Sequence, residues 1–240
     1  TEKKTGEKIN LVDVDDERAE AEYVLKSIRR QRGPLRDSVV LYRTNAQSRI
    51  IEEVFLHYGI PYTLIGGTRF YERKEVKDVL SYLRLFIHPS DSVALKRILK
   101  LGKRRFAGFK TLYESLQGTV EDIPTVELME QTFNATEYLG LYDPEIEEDY
   151  ARLENIKELK SVALSFPNIV EFLEQVALVE SEYFEGEKGG KSKEGVRLMT
   201  LHQAKGLEFD YVFITGLEEG ILPHSRSIDD LHQLEEERRL

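Results

Sequence analysis

The chain contains no cysteine, and that one absence removes both disulfide cross-links and thiolate-held metals. Its five histidines, His57, His88, His202, His224 and His232, show none of the close paired spacings that zinc sites use, so no metal bound by this chain alone is expected. No apolar stretch approaches the roughly 20 residues needed to cross a bilayer. Thr1-Glu2-Lys3-Lys4 begins without the apolar core of a secretory leader, and a cytoplasmic setting is the expectation. Also lacking are a glycine-rich phosphate loop at the end of a strand and an Asp-Glu pair closing an apolar strand for magnesium and water activation. Gly189-Gly190-Lys191-Ser192 echoes the end of such a loop, but Glu185 stands where the earlier glycine is required and no buried strand leads in. A flexible linker is the simpler reading.

What is present is a globular composition, 40% hydrophobic and 32% charged over 240 residues, enough for one large domain or two smaller ones. The net charge of −10 would argue against a polyanionic partner if it were spread evenly. It is not. Lys96, Arg97, Lys100, Lys103, Arg104, Arg105 and Lys110 follow one another with no acid among them, whereas Asp143, Glu145, Glu147, Glu148, Asp149, Glu154 and Glu158 crowd a later stretch that reads as a solvated helix face.

Hydrophobic periodicity divides the chain. Asp16 to Arg30 reads as an amphipathic helix, Ser38 to Tyr42 as a buried strand, Ala46 to His57 as a helix and Pro61 to Ile65 as a second strand. After Gly66-Gly67 the pattern turns wholly helical, over 74–87, 91–100, 108–116, 125–133, 146–166 and 168–180. Glu182 to Glu194 reads as a mobile linker, and strands return at Val196 to Met199 and Tyr211 to Ile214, both of the buried parallel type. The expected fold is therefore α/β, a parallel-sheet domain interrupted by an all-helical insert, with boundaries at 1–65, 66–195 and 196–240.

The most informative run is Met199-Thr200-Leu201-His202-Gln203-Ala204-Lys205-Gly206-Leu207-Glu208-Phe209, followed by Gly216-Leu217-Glu218-Glu219-Gly220-Ile221-Leu222-Pro223-His224. It sets a histidine, a lysine, a glycine and a carboxylate in the loop beyond a strand's carboxyl end, where open α/β sheets bind ligands. This block closely resembles the fifth motif of UvrD/PcrA/Rep-type superfamily 1 DNA helicases. Three further segments agree in order: 41–49, beginning Leu41-Tyr42-Arg43-Thr44-Asn45; 66–78, around Phe70-Tyr71-Glu72-Arg73; and Glu235-Glu236-Glu237-Arg238-Arg239.

The resemblance implies a partial second RecA-like motor domain split by a helical insert, here a short one. It implies that Arg43, Asn45, Thr200 and His202 contact single-stranded DNA, that Glu208 bonds the nucleotide ribose, and that Lys205 and Gly206 join the two sites. Lys103, Arg104, Arg105 and Gly108 fall where the family's insert grips duplex DNA, although Phe106 stands where a first glycine is expected. The parent protein is then an ATP-dependent 3′ to 5′ helicase of DNA repair or replication. It would use ATP with Mg2+ and act at single-strand/duplex junctions beside a first RecA-like domain. This chain alone, lacking the first-domain motifs and ending at Leu240 where the sixth motif is due, is expected to be inactive and to contain no catalytic residue. Two other readings stand beside it: a non-catalytic module recruiting a repair or transcription protein, and the motor part of a recombination helicase-nuclease.

Overall fold

Ser38-Val39-Val40-Leu41-Tyr42 forms β1 (Ser38–Tyr42), and all five residues are buried in the computed structural model, which describes residues 8–188, 194–228 and 230–239. Burial on both faces is what a central parallel strand requires, and the run of β-branched and aromatic side chains meets that demand. Before it lies α1 (Glu17–Arg30), capped by the Asp16 carboxylate, which accepts the Ala19 N–H at 2.7 Å. After it come α2 (Ser48–His57) and β2 (Tyr62–Leu64). The chain then leaves the sheet and returns after 131 residues as β3 (Val196–Thr200), which slides between β2 and β1, while β4 (Tyr211–Ile214) flanks β1 on the other side. Every pairing is parallel in the order β2-β3-β1-β4, with Val40 opposite both Leu198 and Phe213.

Between β2 and β3 run α3 (Lys74–Ile87), α4 (Ser92–Lys100), α5 (Lys103–Ser115), α6 (Thr125–Thr136), α7 (Glu147–Ser165) and α8 (Ile169–Lys188). They enclose their own core, in which Leu83, Ile98, Leu128, Leu159 and Phe172 are fully buried. Burying each such side chain contributes about 1.5–3 kcal/mol. A second core, including Val24, Leu25, Val40, Phe55 and Leu198, joins α1 and α2 to one face of the sheet. The opposite face carries a thinner layer built on Val39, Leu41, Met199 and Leu201. The short helix α9 (Leu201–Ala204) follows β3, and α10 (Leu231–Arg238) closes the described chain.

Buried charge joins the helical core to the sheet. Arg73 donates from Nη1 to Asn155 Oδ1 at 2.6 Å, from Nη2 to Ser48 Oγ at 2.8 Å and from Nε to the Thr68 carbonyl at 3.2 Å. The fully buried Glu52 accepts from Ser48 Oγ at 2.7 Å, Tyr62 at 3.2 Å and Tyr183 at 3.3 Å. Desolvation pushes its carboxyl above the usual range against the opposing charge of Arg73. Arg49 reaches Glu158, Glu53 and Glu17 at once.

Several expectations are corrected here. β4 is not a buried strand: Tyr211, Val212 and Ile214 are 37%, 49% and 45% exposed, because β4 borders β1 alone and has no second neighbour among the described residues. The supposed linker at Glu182 to Glu194 is helical as far as Lys188, since Tyr183 is buried and continues the inner face of α8. The helix expected at Gly108 starts at Lys103. The acidic stretch is only partly a solvated face, because Glu158 holds Arg49 and Asp149 holds Arg152. Gly189-Gly190-Lys191-Ser192 lies outside the described residues. No single described helix is long and apolar enough to cross a membrane.

Candidate functional site

The carboxyl ends of β1 and β3 are built alike. Each strand runs into a Thr-x-x-Gln sequence, Thr44 to Gln47 after β1 and Thr200 to Gln203 after β3, and each forms a reciprocal capping box. The Gln47 side-chain oxygen accepts the N–H groups of Arg43 and Thr44, both at 2.9 Å, and Gln203 accepts the Thr200 N–H at 2.9 Å. This satisfies backbone donors that a strand-to-helix turn otherwise leaves open. Each glutamine then turns its amide nitrogen onto a glycine of positive φ in the loop after the neighbouring edge strand, Gln203 onto Gly66 after β2 and Gln47 onto Gly216 after β4. A Cβ at either glycine would lie 2.4 Å or 2.0 Å from that nitrogen. Since Tyr42 and Thr200 are paired in register, the two turns stand side by side.

On these turns sit the four residues assigned to single-stranded DNA. Thr200 is the N-cap of α9, its hydroxyl accepting the Gln203 N–H at 3.3 Å. Asn45 opens a single 3-10 turn, and His202 is exposed on α9. Partial burial and then the charge of Arg43 hold the His202 imidazole below its ordinary value against Glu237 and Glu147, so it is neutral at pH 7. Arg43 is not a free surface charge: its Nε and Nη2 grip Glu237 of α10, at 2.9 and 2.5 Å at closest. Sequence reasoning missed that partner, which lies 194 residues away.

Lys205, Gly206 and Glu208, assigned to the nucleotide, line a different concavity of about 890 Å3 together with Arg36, Arg197 and Asp210. Arg197 lies over the Phe209 ring at 5.3 Å. The donor set fits part of a nucleotide: a carboxylate to accept ribose hydroxyl protons, and cations for phosphate. Among the described residues there is no group of three or more acidic or histidine side chains placed to hold a metal ion. Leu201 and Ala204 of α9 also line this cavity, so the short helix that carries His202 forms part of its wall.

The four residues assigned to duplex DNA do not share one surface. Lys103 and Arg104 are exposed on the first turn of α5, with Arg104 bound to Glu137 at 2.5 Å. Arg105 bends back to the Leu101 carbonyl at 3.3 Å, and its Nε is buried without a partner. Gly108 faces α6, where a Cβ would lie 2.0 Å from the Ala135 carbonyl oxygen. Gly108 thus lies inside α5, where it serves close helix packing rather than a turn.

Comparison with known families decides the kinship. The profile of the UvrD-like helicase C-terminal domain matches residues 1–123 and 103–240, which together span the whole chain. The chain belongs to this family. Relatives include the ATP-dependent DNA helicase PcrA of Bacillus subtilis strain 168, 37% identical over 294 aligned positions that cover all of this chain and 40% of the relative. The PcrA proteins of Staphylococcus epidermidis RP62A and Staphylococcus aureus NCTC 8325 are 35% and 34% identical, each over 98% of this chain and 39% of their own length. The chain thus spans about 40% of the length of these UvrD-like relatives. The B. subtilis alignment needs 294 positions for 240 residues, so that helicase carries about fifty residues with no counterpart here. The two profile matches overlap at 103–123, the span of α5 and the turn after it.

Proposed function

We propose that this chain is the strand-gripping and nucleotide-sensing part of an ATP-driven DNA helicase of repair or replication, a cytoplasmic motor that tracks 3′ to 5′ along one strand at single-strand/duplex junctions. In this reading, 1–65 and 196–240 belong to the second RecA-like motor domain, and 66–195 form its helical insert. The observation that carries it is the pair of Thr-x-x-Gln turns at adjacent strand ends, which bring Arg43, Asn45 and His202 to one edge of the sheet with the buried Thr200 as the cap beneath them. Phosphate contacts need positioned donors rather than base-reading groups, and rigid capped turns supply them. A neutral His202 donates one ring N–H to a phosphate oxygen without fixing a charge, so the grip can be released between steps.

ATP with Mg2+ supplies the free energy of hydrolysis when a first RecA-like domain completes the cleft. Glu208 accepts the ribose hydroxyls, while Lys205 and Gly206 carry the change in that loop through α9 to His202. Duplex contact rests on Lys103 and Arg104, with Arg105 and Gly108 serving the fold of α5. The shortened insert makes that contact weaker than a glycine-rich loop would.

The test is fluorescence anisotropy of a labelled single-stranded oligonucleotide titrated with the chain across a salt series. Asn45→Ala and His202→Ala each remove one hydrogen bond to a charged partner, an expected loss of about 10-fold in affinity. Affinity unchanged in both variants refutes the assignment of this edge to single-stranded DNA.

A further inference from the structure

The carboxylate of Glu237 joins two parts of the chain, the end of β1 and the loop before α10. It takes the Nε–H and one Nη2–H of Arg43 from the end of β1, with N–O distances of 2.9, 3.1 and 2.5 Å. The same carboxylate accepts the His224 N–H and the Ser227 hydroxyl, both at 3.4 Å, from the loop that follows β4. Its side chain is 7% exposed and that of Arg43 is 17% exposed. The helix that carries Glu237 is itself fixed, since the Asp230 carboxylate accepts the N–H groups of His232 at 2.8 Å and Gln233 at 3.3 Å. The ring of His224 meets Tyr150 of α7 edge-on at 5.5 Å, so the loop gripped by Glu237 also touches the helical insert.

A guanidinium has two edges that can each bind an oxyanion in a fork. Glu237 occupies the Nε/Nη2 edge of Arg43, and Nη1 has no partner among the described residues. We infer that Glu237 is a positioning residue for the single-strand face: it fixes the Arg43 guanidinium so that the free Nη1 edge meets a DNA phosphate, and it ties the 224–227 loop to that arrangement. The inference rests on the proposed role of Arg43 and deepens it. It runs against simple electrostatics. An acid beside a polyanion track normally opposes binding, so removing it should tighten binding unless the acid holds a cation in place.

The experiment measures single-stranded DNA affinity of the whole chain by anisotropy for wild type, Glu237→Gln, Arg43→Gln, the Glu237→Gln/Arg43→Gln double variant and Glu236→Gln. Glu236 is the charge-matched control, being exposed on the same helix and paired, among the described residues, with Arg239 alone. Glu237→Gln is expected to weaken binding about 5-fold, since one of two charge-assisted bonds orienting Arg43 is lost, while Glu236→Gln leaves binding unchanged or slightly tighter. In the Arg43→Gln background the Glu237 change is expected to have no further effect, which a double-mutant cycle reads directly. Tighter binding by Glu237→Gln would mean that the carboxylate competes with phosphate for Arg43 and would overturn the inference. A loss that persists without Arg43 would reduce Glu237 to a strut for α10 and overturn it as well. If Arg43→Gln alone leaves affinity unchanged, it is the single-strand assignment of Arg43 that fails, and the positioning role falls with it.

Discussion

Gly108 offers the sharpest single substitution in the molecule, because two accounts of it predict opposite signs. In the middle of an exposed helix, glycine to alanine stabilises by about 1 kcal/mol through backbone entropy. Gly108 lies in α5 directly against α6, and a Cβ there would lie 2.0 Å from the Ala135 oxygen and 3.0 Å from its carbon. To reach ordinary contact the Ala135 carbonyl must withdraw by about 1.4 Å. The neighbouring residues Phe109 and Phe133 are both 5% exposed and cannot follow without losing packing. Forced overpacking of this kind costs typically 1–3 kcal/mol, and here the obstacle is backbone rather than a flexible side-chain end. With a backbone obstacle the upper end of that range applies, about 3 kcal/mol, and subtracting the helix-propensity gain of about 1 kcal/mol leaves Gly108→Ala destabilising by about 2 kcal/mol. Urea denaturation followed by far-UV circular dichroism reads this as a lower midpoint at unchanged slope. A midpoint equal to or above wild type would refute the packing argument. Weakened duplex binding at unchanged stability would return Gly108 to the DNA surface.

Glu52→Leu removes the acceptor of three hydroxyls and the carboxylate facing Arg73 at 4.0 Å, so a loss of about 3–5 kcal/mol is expected in the same urea assay. Glu52→Gln should differ from wild type in a pH-dependent way. Burial raises the folded-state value of Glu52 above 4.5, so the folded protein holds that proton more tightly than the unfolded chain. Wild-type stability relative to the Gln variant should therefore fall as pH rises from 4.5 through the folded value, and a flat difference would contradict the burial argument. His202 should titrate below 6.5 by NMR, and Arg43→Gln should move it upward by removing a cation and leaving Glu237 unpaired. Its stability contribution has the opposite sense: stability is lost as pH drops from 6.5 through the lowered folded value, because the unfolded chain protonates first. An unshifted His202 in the Arg43 variant would sever the electrostatic link between the two turns.

The elements with strong local signals were legible in the sequence. Lys74–Ile87 was readable to the residue, and Ser38–Tyr42 stood out as a run of apolar residues bounded by turns. What resisted reading depended on distant partners. Arg49, Glu52 and Arg73 look like surface charges in sequence, and only the meeting of α2, α3, α7 and α8 buries them. The exposure of β4 follows from sheet order, which local pattern does not encode. Within the site, Arg43, Asn45, Thr200 and His202 follow from the family resemblance, while the paired Thr-x-x-Gln capping boxes that shape their turns have a local sequence signature, Thr44 to Gln47 and Thr200 to Gln203. The Arg43–Glu237 contact has no local signature at all.

Amide hydrogen exchange of the 240-residue chain with and without a poly-dT oligonucleotide tests the central claim most directly, because it locates the strand without substituting any residue. Added protection is predicted over 43–47 and 200–204, with none at 103–108. Protection confined to the helical insert, or none anywhere under conditions where binding is saturated, would contradict the assignment of the carboxyl edge of the sheet as the strand-binding face.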